Sequence, residues 1–254
     1  MKLVRLTLLS LTLLGCGGAE DTGESDATTD VTDGSTSETG ADELLDRSPV
    51  EHVCQPGDAP SDPFVDCVES FRPTDASFGH DALPGVVLGP PVGGGASHGG
   101  TDVVSLGCDG SITLFFDEPA IVDGPGPDLI VFENAFDSGS ANFSEPARVL
   151  VSADGVDWRA FPCDPLEGVP LGCAGLAPVL SAPSNGVDPT DPAAAGGDAF
   201  DLADVDLSVA RYVRLIDVGR THFAAETWCG GLAGGFDLDA IAAVHGDGIR
   251  SRER

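Results

Sequence analysis

Acidic side chains at short spacing are the residues of this chain best suited to chemistry. They form two groupings, at 198–204 and at 237–239. Asp237 and Asp239 are two residues apart, so in a strand both carboxylates project from one face. Hard oxygen ligands in loops bounded by glycine are what Ca²⁺ uses. We therefore expect a calcium site built from Asp198, Asp201, Asp204, Asp237 and Asp239, together with Glu133 or Asn134.

The alternative for these carboxylates is the solvated surface of a very acidic protein. The chain holds 42 acidic and 12 basic residues, for a net charge of −30, and it contains no EF-hand spacing. Ten of the acidic residues lie between Gly17 and Asp46, and two of the basic ones are Lys2 and Arg5, which leaves 32 against 10 for 47–254. A field of this sign repels nucleic acid and anionic lipid headgroups, so neither is an expected partner.

Recognised catalytic motifs are missing from the sequence. His80 beside Asp81, His98, His222 and His245 are the candidate acid–base residues, and no G-x-S-x-G or H-E-x-x-H surrounds them. Paired carboxylates can cleave glycosides, but only at a separation that a sequence does not reveal. We expect no enzymatic activity, and a hydrolase ranks third among the hypotheses.

A small group of residues near the C-terminus is the candidate ligand-binding site. Trp228 adjoins Cys229 and the run Gly230-Gly231 and is expected in a loop, where an aromatic ring can stack on a ligand. Arg220 and His222 are close in sequence and can hydrogen-bond a polar ligand. The alternative is that Trp228 packs over a disulfide, while Trp158 is expected in the core.

The N-terminus predicts export and lipid anchoring. Lys2 and Arg5 precede an apolar run at 6–14 that is too short for the roughly 20 residues of a membrane span, so 1–15 reads as a signal peptide. Leu13-Leu14-Gly15-Cys16 resembles the bacterial lipobox, in which the cysteine is acylated, with palmitate for example, and becomes the new N-terminus. Gly17, rather than Asp, after Cys16 favours the outer membrane or cell surface. An ordinary secretory signal with an incidental cysteine is the alternative.

The chain after Cys16 divides into a tether and a domain. Residues 16–46 carry ten acidic residues, no basic residue and no aromatic one, which predicts a disordered spacer. Residues 47–254 are expected to form one domain. Their six cysteines, an even number in an exported chain, predict disulfides. The short spacings favour Cys54 with Cys67 and Cys163 with Cys173, which leaves Cys108 with Cys229, although other pairings stay open.

The composition predicts an all-β protein with long loops. Gly (34) and Pro (19) are frequent, and no long stretch has helical period. Asp109-Gly110 and Asp154-Gly155 can each supply a hairpin turn between neighbouring strands. We expect a single jelly-roll-type β-sandwich with disulfides. The predicted strands are 86–88, 102–106, 111–116, 128–132, 147–152, 158–161, 211–218 and 236–244.

Two segments then suggest a family. The hairpin at 147–158, with Ser-Ala-Asp-Gly before Trp158, and the strand at 210–216 resemble discoidin-like domains (coagulation factor 5/8 type C, galactose-binding-like). The segments 123–134 and 236–240 are similar to parts of bacterial cell-surface proteins with the same hairpin. The resemblance implies a binding module for carbohydrate, phospholipid or protein, with a structural calcium. The extra disulfides and the insertion at 162–197 depart from the family.

Together these patterns predict a lipid-anchored surface protein. Its membrane partner is the bilayer that holds the N-terminal lipid, and its calcium-assisted β-sandwich is expected to bind an extracellular carbohydrate or protein. A structural surface lipoprotein without a small ligand is the alternative.

Overall fold

The structure is a computed structural model, and it describes residues 46–55, 61–139, 142–165, 172–223 and 234–246. They belong to a unit that runs from Leu44 to Arg254. Nearly all of the regular structure is antiparallel strand, which confirms the all-β class. The strands are β1 Cys67–Arg72, β2 Val104–Ser105, β3 Ser111–Phe115, β4 Ile121–Val122, β5 Leu129–Phe132, β6 Phe136–Asp137, β7 Asn142–Phe143, β8 Ala147–Ser152, β9 Trp158–Ala160, β10 Asp198–Phe200, β11 Val209–Ala210, β12 Tyr212–Asp217, β13 Asp237–Leu238 and β14 Ala240–Ala243.

Among the described residues, helical structure is limited to short segments. The α-helix α1 covers Gly219–Phe223, and 3₁₀ turns cover His80–Ala82, Gly85–Val87 and Leu202–Val205. Within the described ranges, no helix combines the length and the apolar composition that crossing a membrane requires.

Two larger sheets carry the fold. The first has five strands in the order β1-β3-β12-β8-β9, and the second has three in the order β10-β5-β14. The pairs β11-β4, β13-β2 and β6-β7 form short two-stranded ladders. Because β12 lies between β3 and β8, the centre of the larger sheet joins segments that are far apart in sequence.

One buried cluster draws side chains from both sheets. Alternate residues of the five-stranded sheet, such as Ile112 in β3 and Val213 in β12, belong to the same cluster as Leu129 and Val131 of β5 and Ile241 of β14. All five are fully buried. Each such side chain contributes about 1.5–3 kcal/mol when it leaves water, so this shared core is a main source of stability.

Residues 46–55, here called the N-terminal strap, lie against the other face of the five-stranded sheet. The buried guanidinium of Arg214 in β12 donates hydrogen bonds to the carbonyl oxygens of Asp46 at 2.7 Å and Ser48 at 3.0 Å. It also lies over the ring of Trp158, 4.1 Å from the centroid. Farther along, Val50 donates its N–H to the carbonyl of Gly155 at 2.9 Å. The strap therefore shields this face of the sheet from water.

Disulfides close two of the loops. The structure joins Cys54 to Cys67, which ties the end of the strap to β1, and Cys163 to Cys173. Cys108 is also disulfide-bonded, and its predicted partner Cys229 lies outside the described residues. Cys16 lies outside them as well.

One predicted hairpin is present and the other is wrong. Asp154-Gly155 does connect β8 to β9, which pair as an antiparallel ladder. Asp109-Gly110, however, does not join two paired strands, because β2 pairs with β13 and β3 pairs with β1 and β12. The backbone N–H of Asp109 donates instead to the carboxylate of Asp217 at 2.9 Å, so the turn leads from one sheet to another.

Two predicted strands also differ from the structure. Residues 86–88 fall at the end of the 3₁₀ turn Gly85–Val87, because Pro84 adopts helical angles and accepts a hydrogen bond from the N–H of Val87. The predicted strand 236–244 is two strands, β13 and β14, separated at Asp239. The carboxylates of Asp237 and Asp239 are both buried at this break.

Candidate functional site

Three acidic side chains from separate segments meet in one place. Glu133 directly follows β5, Glu145 lies two residues before β8, and Asp237 lies in β13. One carboxylate oxygen from each lies within 4.8 Å of the other two. We call this group the carboxylate cluster. Three hard oxygen donors at this separation are an arrangement that can hold a cation.

Backbone pairing explains why these segments converge. The N–H of Asp239 donates to the carbonyl of Phe132 at 3.0 Å, next to the ladder of β14 with β5, and this places 237–239 beside Glu133. From the other side, the N–H of Gly235 donates to Oε1 of Glu145 at 3.0 Å. The cluster is therefore positioned by the sheet and by one loop contact.

Glu133 is the most isolated member of the cluster. Its side chain is 2% exposed, and its Oε2 atom has no hydrogen-bond partner. Burial raises the pKa of Glu133 well above its ordinary value, the charges of Asp237 and Glu145 raise it further, and the backbone N–H groups of Asn134 and Asp237 lower it only in part. An unpaired buried carboxylate is costly, so this oxygen requires either a proton or a cation.

Asp237 is held by polar neighbours. The Ser105 hydroxyl donates to its Oδ1, and the side chain of Asn134 also hydrogen-bonds to it. Burial nevertheless raises the pKa of Asp237 to about 6. The Oδ1 atom of Asn134 accepts the N–H of Gly100 at 2.5 Å. Asn134, a predicted ligand, therefore turns its amide nitrogen towards the cluster and positions Asp237 rather than supplying an oxygen.

Glu145 is the half-buried member of the cluster. Burial, followed by the charges of Asp237 and Asp217, raises the pKa of Glu145 to about 8. Asp217 is itself buried, and its oxygens accept the N–H groups of Asp109, Gly219 and Phe236 at 2.8–3.0 Å. Asp217 thus supports the loops around the cluster while adding negative charge to it.

These raised pKa values predict that, when divalent cations are removed, the protein becomes less stable as the pH rises. A carboxyl whose pKa is higher in the folded state gives its full stability below the ordinary pKa and loses it as the pH rises through the raised value. Burial also raises the pKa of Asp239 to about 7. Between about pH 5 and pH 8, the free energy of unfolding in chelator should fall by several kcal/mol, since each raised carboxyl contributes about 1.4 kcal/mol per pH unit until its raised pKa is reached.

Urea unfolding at a series of pH values measures this change. Glu145→Gln should flatten the slope, because an amide does not titrate. Stability that stays constant or increases from about pH 5 to pH 8 in chelator would contradict the raised pKa values.

A narrow cleft, too small to admit a water molecule, borders the cluster. Glu133, Asn134 and Asp239 line it together with Gly93, Gly94 and His98 of a glycine-rich loop. Both oxygens of Asp239 accept the N–H of Val92 at 3.0 Å, which holds this loop in place.

The glycine-rich loop packs tightly over Asn134. A Cβ atom on Gly99 would lie 2.7 Å from Oδ1 of Asn134 and 3.0 Å from the ring of Phe136. Only a residue without a side chain fits this close approach. The loop, Asn134 and Phe136 are therefore packed together beside the cluster.

The predicted calcium ligands do not form one site. Glu133 and Asp237 belong to the cluster, and Asp239 lines the adjoining cleft. Asp198 has a different role, which is to hold a loop. Its Oδ2 accepts the N–H groups of Gly175 at 2.8 Å, Leu176 at 2.9 Å and Ala177 at 3.4 Å.

Asp201 and Asp204 are also outside the cluster. Asp201 caps the 3₁₀ turn Leu202–Val205 by accepting the N–H of Ala203, and Asp204 is exposed within that turn. Asp198 and Asp201 thus stabilise loops through backbone N–H groups. The three acidic residues at 198–204 are close in sequence but do not form one site in the structure.

A second acidic group contains Asp123, Asp128 and Asp201. Its buried member, Asp128, is fully engaged: Oδ1 accepts from the N–H of Gly124 and contacts His245 Nδ1, both at 2.8 Å, and Oδ2 accepts the N–H of Leu202 at 2.7 Å. Because these partners satisfy Asp128, this group makes a weaker case for a cation than the carboxylate cluster.

Sequence reasoning missed Glu145 and Ser105. Glu145 is twelve residues from Glu133, between Ser144 and Pro146, with no acidic neighbour to mark it. Ser105 belongs to β2, whose partner β13 comes more than a hundred residues later. Neither residue carries a local signal, since both reach the site through long-range pairing.

The predicted ligand-binding residues lie elsewhere. Arg220 donates from Nε to Asp109 at 2.6 Å, and His222 Nδ1 contacts the carbonyl of Pro165 at 2.6 Å, both from α1. Trp228 lies outside the described residues. Trp158 is 5% exposed, which confirms its place in the core.

Similarity to known proteins does not identify the chain. The sequence matches no protein-family model and no curated protein. What the carboxylate cluster does must follow from its own donors, burial and charge.

Proposed function

We propose that this protein is an exported, lipid-anchored surface protein whose β-domain binds Ca²⁺ at Glu133, Glu145 and Asp237. The bound ion holds the loops that contact an extracellular carbohydrate or protein. Cys16 carries the lipid, and the acidic segment after it holds the domain away from an outer membrane or cell surface. The domain acts by binding, not by catalysis.

The single observation that carries the calcium proposal is the unpartnered Oε2 of Glu133. It is buried beside two further carboxylates, and a cation there supplies the missing partner of Glu133 and offsets the negative charge of all three side chains. The proton is the rival occupant, and it is favoured only when the cation is absent or the pH is low.

The donor set favours calcium over other metals. The cluster offers carboxylate oxygens and no sulfur or imidazole, whereas zinc prefers cysteine and histidine. Ca²⁺ accepts irregular oxygen coordination, and weak extracellular sites bind it with dissociation constants on the order of 10⁻⁴ to 10⁻³ M. An exported protein meets calcium at such concentrations, so a site of this strength suffices.

We also propose that the two larger sheets face each other as a jelly-roll β-sandwich of the discoidin-like kind. The support is the buried cluster that takes alternate side chains from both sheets, including Val213 of β12 and Val131 of β5. The β8–β9 hairpin with its Asp154-Gly155 turn, on which the resemblance rests, is a ladder in the structure.

Calcium titration of the full chain tests the proposed site. We expect one ion to bind with a dissociation constant on the order of 10⁻⁴ M by calorimetry. Glu145→Gln should weaken binding at least about tenfold, because it removes one charged donor. Asp204→Asn removes the same charge from an exposed position outside the cluster and should leave binding unchanged. Equal affinity for both variants would contradict the site.

A further inference from the structure

The hairpin formed by β6 and β7 is attached to the carboxylate cluster at both ends. Glu133 lies three residues before Phe136, and Glu145 lies two residues after Phe143. Phe136 and Phe143 are directly paired across the ladder. A cation bound to Glu133 and Glu145 therefore fixes the two ends of this hairpin to each other.

The hairpin presents an aromatic surface. The rings of Phe136 and Phe143 stack with centroids 4.6 Å apart and planes 15° from parallel. Phe143 is 43% exposed, and it is the only aromatic among the exposed large hydrophobic side chains of the described ranges. Phe136 is half-buried against the glycine-rich loop, to which the hairpin is also joined by the N–H of Asp137 and the carbonyl of Ala96 at 2.9 Å.

The size of this surface matches a small, flat ligand. A stable protein interface buries roughly 800 Å² on each partner, far more than one exposed phenyl ring offers. The face of a sugar ring carries C–H groups, and the negative face of an aromatic ring attracts them. Stacking on Phe143 therefore fits a single sugar residue better than a protein.

The surrounding charge selects against anionic ligands. The side chain of Asp137, next to Phe136, is exposed, and the cluster and the rest of the chain add to the negative field. Carboxylates accept hydrogen bonds from hydroxyl groups but repel sulfate, phosphate and sialic acid. The favoured ligand is therefore rich in hydroxyls and uncharged.

We propose that the stacked rings of Phe136 and Phe143 are the binding surface for a neutral carbohydrate, with Phe143 stacking on one sugar ring and the cluster-bound cation holding β6 and β7 in place. The effect of the cation rests on the proposed function. The aromatic surface itself stands on separate observations.

A glycan array probed with the full chain, purified in detergent, tests this proposal. We expect binding to neutral glycans and none to sulfated or sialylated ones. With the strongest neutral glycan as probe, Phe143→Ala should reduce affinity roughly tenfold. Phe143→Leu keeps the apolar bulk but loses the flat ring, so it should lose affinity while keeping the hairpin. Val156→Ala, at an exposed apolar position in the β8–β9 turn, should bind as the unaltered chain does.

The outcomes separate the two proposals. Absence of neutral-glycan binding, binding confined to acidic glycans or to protein, or full affinity in Phe143→Leu would overturn the carbohydrate surface. If Phe143 variants lose affinity but chelator has no effect on binding or on melting temperature, the carbohydrate surface stands and the calcium site fails.

Discussion

Glu133→Gln raises the melting temperature in chelator and abolishes the rise caused by calcium. At neutral pH, the folded protein must keep Glu133 protonated or hold a buried charge, and either state costs free energy relative to the unfolded chain. An amide removes this cost and can donate hydrogen bonds to the neighbouring carboxylates. We expect a gain of about 2 kcal/mol, which corresponds to roughly 4–8 °C for a domain of this size.

With calcium present, the unaltered chain should melt at a higher temperature than Glu133→Gln, the reverse of their order in chelator. At a free concentration of about one hundred times the dissociation constant, the unaltered chain gains about 2.7 kcal/mol, and Glu133→Gln gains little. Differential scanning calorimetry with chelator and with Ca²⁺ measures both arms. Asp204→Asn serves as the charge-matched control and should behave as the unaltered chain in each. A Glu133→Gln protein that melts lower in chelator and still responds to calcium would refute this account of the cluster.

Cys16→Ala should move the protein from the membrane fraction to the soluble exported fraction almost completely. The acyl chains on Cys16 are the proposed anchor, and no helix within the described ranges could replace them by crossing the bilayer. Fractionation followed by immunoblotting measures the distribution. Labelled palmitate should enter the unaltered chain and not the variant.

Gly17→Asp provides a matched control for the anchor. It leaves Cys16 available for acylation but introduces the residue that usually retains such lipoproteins in the inner membrane. Label incorporation should therefore persist while the protein changes membrane. Retention of Cys16→Ala with the membranes would show that something other than this cysteine binds the chain there.

Local sequence signals predicted individual strands better than their partners. The strand 147–152 is β8 with the same bounds, and the Asp154-Gly155 turn after it reverses the chain into β9 as predicted. Asp109-Gly110 carries a similar signal and leads to another sheet, since Asp217 captures the N–H of Asp109. This contact joins residues 108 apart in sequence, and no local sequence pattern near the turn predicts it.

The candidate site was predictable in part, because Glu133 and Asp237 were among the expected ligands and Glu145 was not. Asp237 and Asp239 share one segment, but the strand expected to contain both ends before Asp239, so that Asp237 lies in the cluster and Asp239 beside it. The same reasoning selected Asp198 and Asp204, where one carboxylate binds backbone N–H groups and the other is exposed. Glu145 could not be predicted in this way. It lies between β7 and β8, and its place in the cluster depends on long-range strand pairing that no local sequence pattern reveals.

The N-terminal strap has a mechanical consequence for an anchored protein. Tension on the tether would enter the domain at Asp46 and first load the hydrogen bonds that Arg214 donates to the strap. Peeling could proceed past Val50, but it would stop at Cys54, which is covalently joined to Cys67 in β1. Force would then pass through the disulfide to β1, which is paired with β3. If the chain is anchored as proposed, the strap would release its hydrogen bonds before the force reached the rest of the domain.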